Sequence, residues 1–184
     1  MSEQQFIRST APTLAGIKTG SLFPYRYGSR DEALSELRGL NRRLAPKGLR
    51  LLPLRMTADF AMLYLYRPGR LEADLQKREA AVLLREAGYP PCGETGCIRE
   101  LRRRLAERED FPHEIGLFLS YPPEDVRGFM EHRDCGCKCV GCWKVYGDEK
   151  AARRKFAQYK RCTDFYLRRN AQGCTLERLT VKTA

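Results

Sequence analysis

Two apolar runs in the first half of the chain have the length and spacing of β-strands. They are LRLLPLR at 49–55 and FAMLYLY at 60–66, and the turn-like MTAD separates them. Such a short connection predicts that the two strands pair in antiparallel fashion. A third run, SLFPY at 21–25, predicts an edge strand, because Pro24 has no N–H to donate to a neighbouring strand.

Helical spacing occurs on both sides of the two longer runs. Ser29 and Glu32 form a capping-box pattern, in which two side chains satisfy the free backbone N–H groups of a helix start. The apolar residues that follow recur every three or four positions: Ala33, Leu34, Leu37, Leu40 and Leu44. Pro46 and Gly48 predict the end of this helix. A second helix is predicted over about 71–87.

The second half of the chain predicts mostly helix. A short, highly charged helix begins near Ile98, and FPHEIGLFLS opens with Pro112 at a helix-start position. PPEDVRGFMEH predicts another helix, with acidic residues in its first turn. WKVYG predicts a short strand, and Asp148 then caps a long helix that runs to about Arg169.

Together these elements predict an α+β fold. We expect a small, mostly antiparallel sheet of short strands packed by several helices, with a helix-rich C-terminal half. At 184 residues the chain is predicted to form a single compact domain over 1–184. Within it, an α+β part covers about 1–90 and a helical, cysteine-containing part covers about 91–184.

The chain start and the hydropathy pattern bear on location. MSEQQFIRSTAPTLAGIKTG lacks the basic region and continuous apolar core of a signal peptide. No apolar run approaches the roughly 20 residues of a membrane-spanning helix. We therefore expect a cytoplasmic protein with no membrane partner. In a reducing cytosol the eight cysteines are not expected to form a disulfide framework, so metal ligation, redox chemistry or burial must account for them.

The net charge of +11 makes an anionic partner plausible, although basic charge also serves ordinary solubility. On the long final helix Lys150, Arg154, Arg161 and Arg168 share one side, with Phe165 near them. A basic stripe beside an aromatic residue is typical of a contact with nucleic acid or another anion. The same pattern is typical of a solvated helix face, and the sequence leaves both readings open.

The two histidines give one weak enzymatic signal. His113 and Glu114 resemble the start of the metalloprotease motif HExxH, but Leu117 stands where the second histidine is needed. His113 remains a candidate general base or cofactor contact, and with Glu114 a candidate acid–base pair. A polar residue at a helix start is the alternative. The standard nucleotide-binding and nucleophile-elbow motifs are absent from the sequence.

Four of the cysteines lie close together at Cys135, Cys137, Cys139 and Cys142. The last two have the C-x-x-C spacing that zinc and iron–sulfur sites favour, and Gly136 would permit a turn. Four metal ligands from eight consecutive residues would strain the backbone. The remaining cysteines are therefore candidates for a second pair of ligands: Cys92, Cys97, Cys162 and Cys174. Thiol redox chemistry and the absence of any specific chemistry are the alternatives.

Five stretches of the chain are distinctive as a set: APTLAGIKTGSLF (Ala11–Phe23), GYP (Gly88–Pro90), FPHEIGLFLSYPPEDVRGF (Phe111–Phe129), CWKVYGDEKAARRKFAQYKRCTDFY (Cys142–Tyr166) and the terminal LERL. Together they resemble a bacterial family catalogued as domain of unknown function 3793, over about residues 6–180. The resemblance implies a small cytosolic protein. It brings no established activity, and therefore no catalytic residues to carry over.

The resemblance also divides the candidate residues. Cys142 and Cys162 lie in family-like blocks, whereas Cys135 and Cys137 lie in a stretch that looks variable in the family. His113 and its neighbouring glutamate look like part of the family's defining surface. We therefore expect a functional surface that joins FPHEIGLFLSYPPEDV to the cysteine-rich loop and WKVYG. The first hypothesis is that this surface binds a metal or cofactor through cysteine thiolates and has a redox-related role.

Overall fold

The structure is a computed structural model of the chain. It describes residues 1–91, 93–107, 111–133 and 135–182. The fold is 58% helical, with a small antiparallel sheet packed by helices and a helix-rich C-terminal half. The predicted α+β fold class is confirmed. In the described ranges no helix is long and apolar enough to cross a membrane.

The chain forms two compact units. The first combines Met1–Pro68 with the end of the chain from Arg161, and the second is Gly69–Lys160. The expectation of a single domain stays a prediction.

In the first unit, three described strands form an antiparallel sheet in the order β1–β3–β2: β1 (Gly20–Arg26), β2 (Arg50–Met56) and β3 (Phe60–Tyr66). The two edge strands contain Pro24 and Pro53, and the central strand has no proline. Proline cannot donate a ladder hydrogen bond, so it is tolerated at an edge. The predicted edge position of SLFPY is confirmed.

Helices cover one face of this sheet. They are α1 (Glu3–Leu14), α2 (Arg30–Leu44) and α9 (Leu176–Leu179), and a 3₁₀ turn at Ala45–Lys47 follows α2. The core lies between these helices and alternate residues of the sheet: Phe6, Ile7, Ala11, Leu14, Phe23, Ala33, Leu37, Leu44, Leu51, Ala61, Leu63, Leu65, Leu176 and Leu179. Alternation places every second strand residue on this face, so the sheet and helices share one apolar layer.

The first helix was missed by the sequence reasoning, although its start carries a readable signal. Ser2 Oγ accepts a hydrogen bond from the Gln5 backbone N–H at 3.2 Å, and the Gln5 side chain accepts from the Ser2 N–H at 3.4 Å. This is a complete capping box. At Ser29 the predicted cap is present, because its Oγ accepts from the Glu32 N–H at 3.4 Å.

Arg67 fixes the end of α1 from inside the first unit. Its side chain is fully buried and donates hydrogen bonds to the carbonyl oxygens of Thr13 (2.9 Å), Leu14 (2.8 Å) and Val181 (2.7 Å). The last carbonyls of a helix have no partner within the helix and carry partial negative charge. A guanidinium there satisfies them and ties the chain end to the first helix.

The second unit is mostly helical. Its described helices are α3 (Pro68–Leu75), α4 (Arg78–Glu86), α5 (Glu94–Glu107), α6 (Ile115–Phe118), α7 (Pro123–His132) and the first part of α8 (Glu149–Ala171). A two-stranded hairpin joins them: β4 (Cys139–Val140) pairs with β5 (Lys144–Val145) in antiparallel fashion. The predicted WKVYG strand is therefore shorter than expected.

The helix predicted over 71–87 is two helices. Leu71 and Leu75 are buried in α3, and Ala80, Leu83 and Leu84 are buried in α4. At about 100° per residue, Leu84 would lie on the opposite side of one straight helix from Leu75. The break between the two helices allows both apolar faces to be buried. Helical spacing counted across the whole segment does not reveal this break.

Candidate functional site

A cavity of about 300 Å³ lies in the second unit, between α6 and its flanking loops, α7 and the β4–β5 hairpin. Its apolar walls are Phe111, Ile115, Leu119, Val126, Phe129 and Trp143, and His113, Tyr121 and Lys144 add polar groups. We call this cavity the aromatic cleft. Ligand pockets in proteins typically have such apolar walls with a few placed polar groups.

Glycines allow the elements around the aromatic cleft to approach closely. A Cβ on Gly116 would lie 2.8 Å from Val126 Cγ2 and 3.0 Å from the Tyr121 ring. A Cβ on Gly128 would lie 2.5 Å from Tyr146 Cβ. Carbon atoms in contact normally lie about 3.5–4.0 Å apart, so neither position has room for a side chain. Glycine at positions 116 and 128 therefore allows α6, α7 and the hairpin to lie this close together.

Asp125 holds the hairpin against α7. Its buried carboxylate accepts a hydrogen bond from the Trp143 indole N–H at Oδ2 (2.7 Å). Oδ1 accepts the backbone N–H groups of Tyr146 and Gly147, each at 2.7 Å. Hydrogen bonds to a charged acceptor are shorter and stronger than neutral ones, so this one side chain fixes the position of the hairpin.

Aromatic stacking holds the tryptophan that lines the cleft. The Tyr121 and Trp143 rings stack with centroids 4.8 Å apart, and Phe156 meets Trp143 edge-on at 4.6 Å. Tyr121 also donates its hydroxyl hydrogen bond to the Cys142 carbonyl oxygen at 3.1 Å. Burial raises the pKa of Tyr121 to about 12, so this hydroxyl keeps its proton and the hydrogen bond at neutral pH.

His113 lies at the edge of the aromatic cleft, as the sequence hypothesis of a cofactor contact requires. Its Nε2 lies 2.9 Å from an Arg133 guanidinium nitrogen, and its ring meets Phe129 edge-on at 4.9 Å. Arginine has only donors, so in this hydrogen bond Nε2 accepts and the ring proton resides on Nδ1. Lys144 Nζ lies 5.4 Å from the centroid of the same Phe129 ring.

Glu114 has different surroundings from its neighbour His113. Its buried Oε1 lies 3.1 Å from an Arg104 guanidinium nitrogen and accepts the Tyr89 hydroxyl at 3.2 Å. Arg104 in turn lies over the Tyr89 ring, 4.3 Å from its centroid. Burial, with the nearby Glu114 charge, raises the pKa of Tyr89. Glu114 is not among the described residues that line the aromatic cleft, and the predicted acid–base pair stays a prediction.

Among its described residues, the cysteine loop does not bring together a group that could hold a metal ion. Cys139 lies in β4 opposite Val145, and Cys142 is exposed at the hairpin turn. Cys135 is exposed and Cys137 is half-buried. Across the ranges that the structure describes, no group of three or more His, Cys, Asp or Glu side chains is placed to hold a metal ion. The described residues therefore give the predicted zinc or iron–sulfur ligation no support.

The other described candidate ligands belong to other elements of the chain. Cys97 is buried in α5, and Cys162 and Cys174 pack against the core of the first unit. Burial raises the pKa of Cys162 to about 11, which keeps it a thiol at neutral pH. Cys92 lies outside the described residues.

The predicted basic stripe is exposed along α8. Lys150, Arg154, Arg161 and Arg168 all reach solvent, and Phe165 is 50% exposed. Elsewhere on the helix Ala152, Tyr159 and Tyr166 are buried. Exposure alone does not separate an anion-binding surface from a solvated one, so the binding role stays a prediction.

The sequence profile described as "protein of unknown function (DUF3793)" matches residues 6–180. The chain belongs to this family. The resemblance that the five distinctive stretches suggested is therefore confirmed. Searches of the curated proteins and of the solved structures found no match. Every residue of the aromatic cleft lies within the matched range, so the cleft belongs to the family's part of the chain.

The functional surface expected from sequence, FPHEIGLFLSYPPEDV with the cysteine-rich loop and WKVYG, includes Tyr121, Asp125, Trp143 and Lys144, but sequence reasoning gave none of these residues a role of its own. Asp125 reads as an ordinary first-turn acid of a helix, and Trp143 and Lys144 read as parts of a short strand. Tyr121 carries no signal beyond its place before Pro122. Asp125 is separated from its partners by about twenty positions in sequence, and one sequence contains no measure of which distant residues meet.

Proposed function

We propose that the protein binds a small organic molecule, a cofactor or other ligand with an apolar ring system, in the aromatic cleft. The observation that carries this proposal is a cavity of about 300 Å³ whose walls are apolar and aromatic. Cavities that bind small molecules start at about this size and share this character.

The surroundings of the cleft support a site that is formed before the ligand arrives. Asp125 anchors the hairpin, and Tyr121 and Phe156 hold the Trp143 ring from two directions. Binding to a rigid site avoids the entropy cost of ordering side chains, which is about 0.5–1.5 kcal/mol for each one immobilised. The energy of burying a ring is then available for affinity.

His113 supplies directional recognition in this proposal. Its imidazole lies at the edge of the cleft, with Nε2 2.9 Å from an Arg133 guanidinium nitrogen. A polar ring held in one orientation beside apolar walls limits how a ligand can enter, as the few polar groups of a binding pocket generally do. The proposal keeps the cofactor-contact role that the sequence suggested for His113, and it needs no thiolate ligand.

The test uses N-phenyl-1-naphthylamine, a neutral dye that fluoresces more strongly in apolar surroundings. We expect saturable binding to one site. Phe129→Ala should weaken it by at least about fivefold, because one aromatic contact contributes about 1 kcal/mol. Phe165→Ala removes a ring of the same kind from an exposed position on α8 and should leave the affinity unchanged.

Circular dichroism melting of both variants shows whether either loses its fold. Binding that does not saturate contradicts the proposal. Equal affinity in a folded Phe129→Ala variant and in Phe165→Ala also contradicts it, because the dye would then bind elsewhere.

A further inference from the structure

We infer that the basic stripe of α8 binds single-stranded nucleic acid, with phosphates along its cations and a base stacked on Phe165. This site uses none of the residues that line the aromatic cleft, and the inference does not depend on the proposed function. Three features carry it: the concentration of positive charge on α8, the shortage of acidic partners for the stripe among the described residues, and an exposed aromatic ring between two of its cations.

Positive charge is concentrated on α8. This helix contains eight basic and two acidic residues, so it carries +6 of the chain's formal net charge of +11. Four of the basic residues form the stripe, and all four are exposed: Lys150, Arg154, Arg161 and Arg168. At about 100° and 1.5 Å per residue they lie within an arc of about 40° over about 27 Å of one helix. A straight row of cations suits the evenly repeated phosphates of a nucleic-acid strand.

The stripe makes no ion pair with an acidic side chain among the described residues. On α8 itself, Glu149 pairs with Arg153 at 2.7 Å, outside the stripe. Asp148 caps the helix start, and its pKa is lowered by a backbone hydrogen bond and, more weakly, by the Arg154 charge. Asp164 is exposed beside the stripe, so on the helix surface one carboxylate accompanies four cations.

A second arginine-rich helix of the same chain has a different pattern. In α5 four arginines are accompanied by three glutamates, and Arg103 and Arg104 each bond to Glu100 at 2.7 Å. In α8 the stripe instead places Lys150 four positions before Arg154. Like charges at this spacing destabilise a helix slightly, and a bound polyanion would remove that repulsion. The pattern of α8 therefore favours an anionic partner more than that of α5 does.

Phe165 adds an aromatic surface to the row of cations. Its side chain is 50% exposed, and it follows Arg161 by four positions and precedes Arg168 by three. Residues at these spacings are neighbours on a helix surface. Sites for single strands combine cations that follow the backbone with aromatic rings on which bases stack. The faces of paired bases are covered in a duplex, so this ring favours a single strand.

A membrane surface fits the exposed side of α8 less well. Helices that lie on a membrane insert an apolar face among the lipids. In α8 the apolar residues Ala152, Tyr159 and Tyr166 are buried in the protein, and Phe165 is the one large apolar side chain of the described helix that is exposed. An anionic lipid surface would therefore gain charge contacts without a matching apolar face.

The experiment measures fluorescence anisotropy of labelled strands of about 12 nucleotides, one of deoxythymidine and one of uridine. A mixed-sequence DNA duplex and phosphatidylglycerol vesicles are the competing ligands. We expect saturable binding of single strands, and about fiftyfold weaker binding at about 200 mM than at 50 mM salt, as four phosphate contacts predict. The strand that binds more tightly shows whether the partner is DNA or RNA.

The double variant Arg154→Gln, Arg161→Gln removes two cations of the stripe. We expect at least about fivefold weaker binding at low salt, and a salt effect reduced to about sevenfold. Arg38→Gln, Arg42→Gln makes the same change in net charge at two exposed positions on α2 and should keep the affinity and the salt effect. Equal losses in both double variants would overturn the inference, because net charge and not the stripe would then produce the binding.

Phe165→Leu keeps an apolar side chain and removes the ring. We expect at least about fivefold weaker binding of single strands with an unchanged salt effect, because stacking is lost and no charge is removed. Circular dichroism melting shows that each variant is folded. Unchanged affinity in a folded Phe165→Leu variant would contradict the stacked base.

Four other results would overturn the inference. They are the absence of binding to either strand, binding that does not weaken with salt, tighter binding of the duplex than of the single strands, and binding to the vesicles alone. None of these results bears on the aromatic cleft, whose test uses a neutral dye.

Discussion

At the scale of single residues, Asp125 shows how one buried carboxylate positions a candidate site. It accepts hydrogen bonds from a tryptophan that lines the aromatic cleft and from the backbone of the following hairpin residues. Burying a carboxylate costs free energy unless it accepts hydrogen bonds. Here the donors are N–H groups of the hairpin, and these would lack this partner if the carboxylate were absent. The residue stabilises the hairpin and the cleft wall together.

We expect Asp125→Asn to reduce the free energy of unfolding by about 3 kcal/mol. An amide has one oxygen, so its NH₂ must face either the Trp143 indole N–H or the N–H groups of Tyr146 and Gly147. Urea unfolding followed by tryptophan fluorescence measures the loss. Asp164→Asn, at an exposed position on α8, is the matched control and should change stability by less than about 0.5 kcal/mol. A loss as small as the control's would show that the carboxylate does not hold the hairpin.

At the scale of elements, the contact between α7 and the hairpin depends on a missing side chain. Gly128 lies buried within α7, and the Tyr146 side chain occupies the space where its Cβ would be. Overfilling a packed contact costs about 1–3 kcal/mol, because neighbouring groups must move. The helix and the hairpin can therefore meet at this distance only with glycine at position 128.

We expect Gly128→Ala to destabilise the protein by about 1–2 kcal/mol and to shift the Trp143 indole resonance. The better helix propensity of alanine offsets part of the cost. Gly39→Ala is the contrasting variant, because nothing lies within 4 Å of the Cβ position at Gly39 in α2. That change should stabilise the protein by about 0.5–1 kcal/mol. Urea unfolding of both compares the two, and a stabilised Gly128→Ala would contradict the packing argument.

The helices and strands also show which features local residue patterns can predict. The strands at 49–55 and 60–66 were predicted because apolar runs bounded by turn residues are a local signal, and β2 and β3 follow them closely. The break between α3 and α4 was missed, because its cause is the direction in which Leu75 and Leu84 must face. That direction is a property of the packed core.

At the scale of the whole molecule, ion pairs in both units make the free energy of unfolding depend on pH in the acidic range. In the second unit, hydrogen bonds from Arg103 and then Arg104 lower the pKa of Glu100 from 4.5 to about 2. In the first unit, the hydrogen bond from Arg43 lowers the pKa of Glu177 from 4.5 to about 2. A lowered pKa in the folded state means that the charged form is stabilised by folding.

The direction of the pH effect follows from these values. The contribution of each pair is fully present above about pH 4.5 and is lost as the pH falls from 4.5 to about 2. Both carboxylates reach solvent, so each pair is expected to add only about 0.5–1 kcal/mol. Urea unfolding at a series of pH values should show stability falling across this window.

The double variant Glu100→Gln, Glu177→Gln should lower stability at pH 7 and flatten the acid dependence between pH 4.5 and 2. Glu79→Gln, at an exposed position on α4, is the control and should leave the slope unchanged. An unchanged slope in the double variant would show that other groups produce the acid dependence.

The family, the α+β class, the edge position of the strand with Pro24 and the shared side of the basic residues on α8 could be predicted from the sequence. These features depend on local spacing and on residue types within a few positions of each other. His113 was singled out from sequence because His113 and Glu114 resemble the start of the motif HExxH, and its role stays a prediction.

The contacts that form the aromatic cleft depend on the folded structure. Folding brings Asp125 to Trp143 and Lys144 to Phe129, and it gives Glu114 the buried partners Arg104 and Tyr89. It also left the cysteines without the ligand cluster that their spacing suggested, within the ranges described. Hydrogen bonds and packing act between residues that are close in space. Many of these residues are far apart along the chain, so local sequence patterns do not show their contacts.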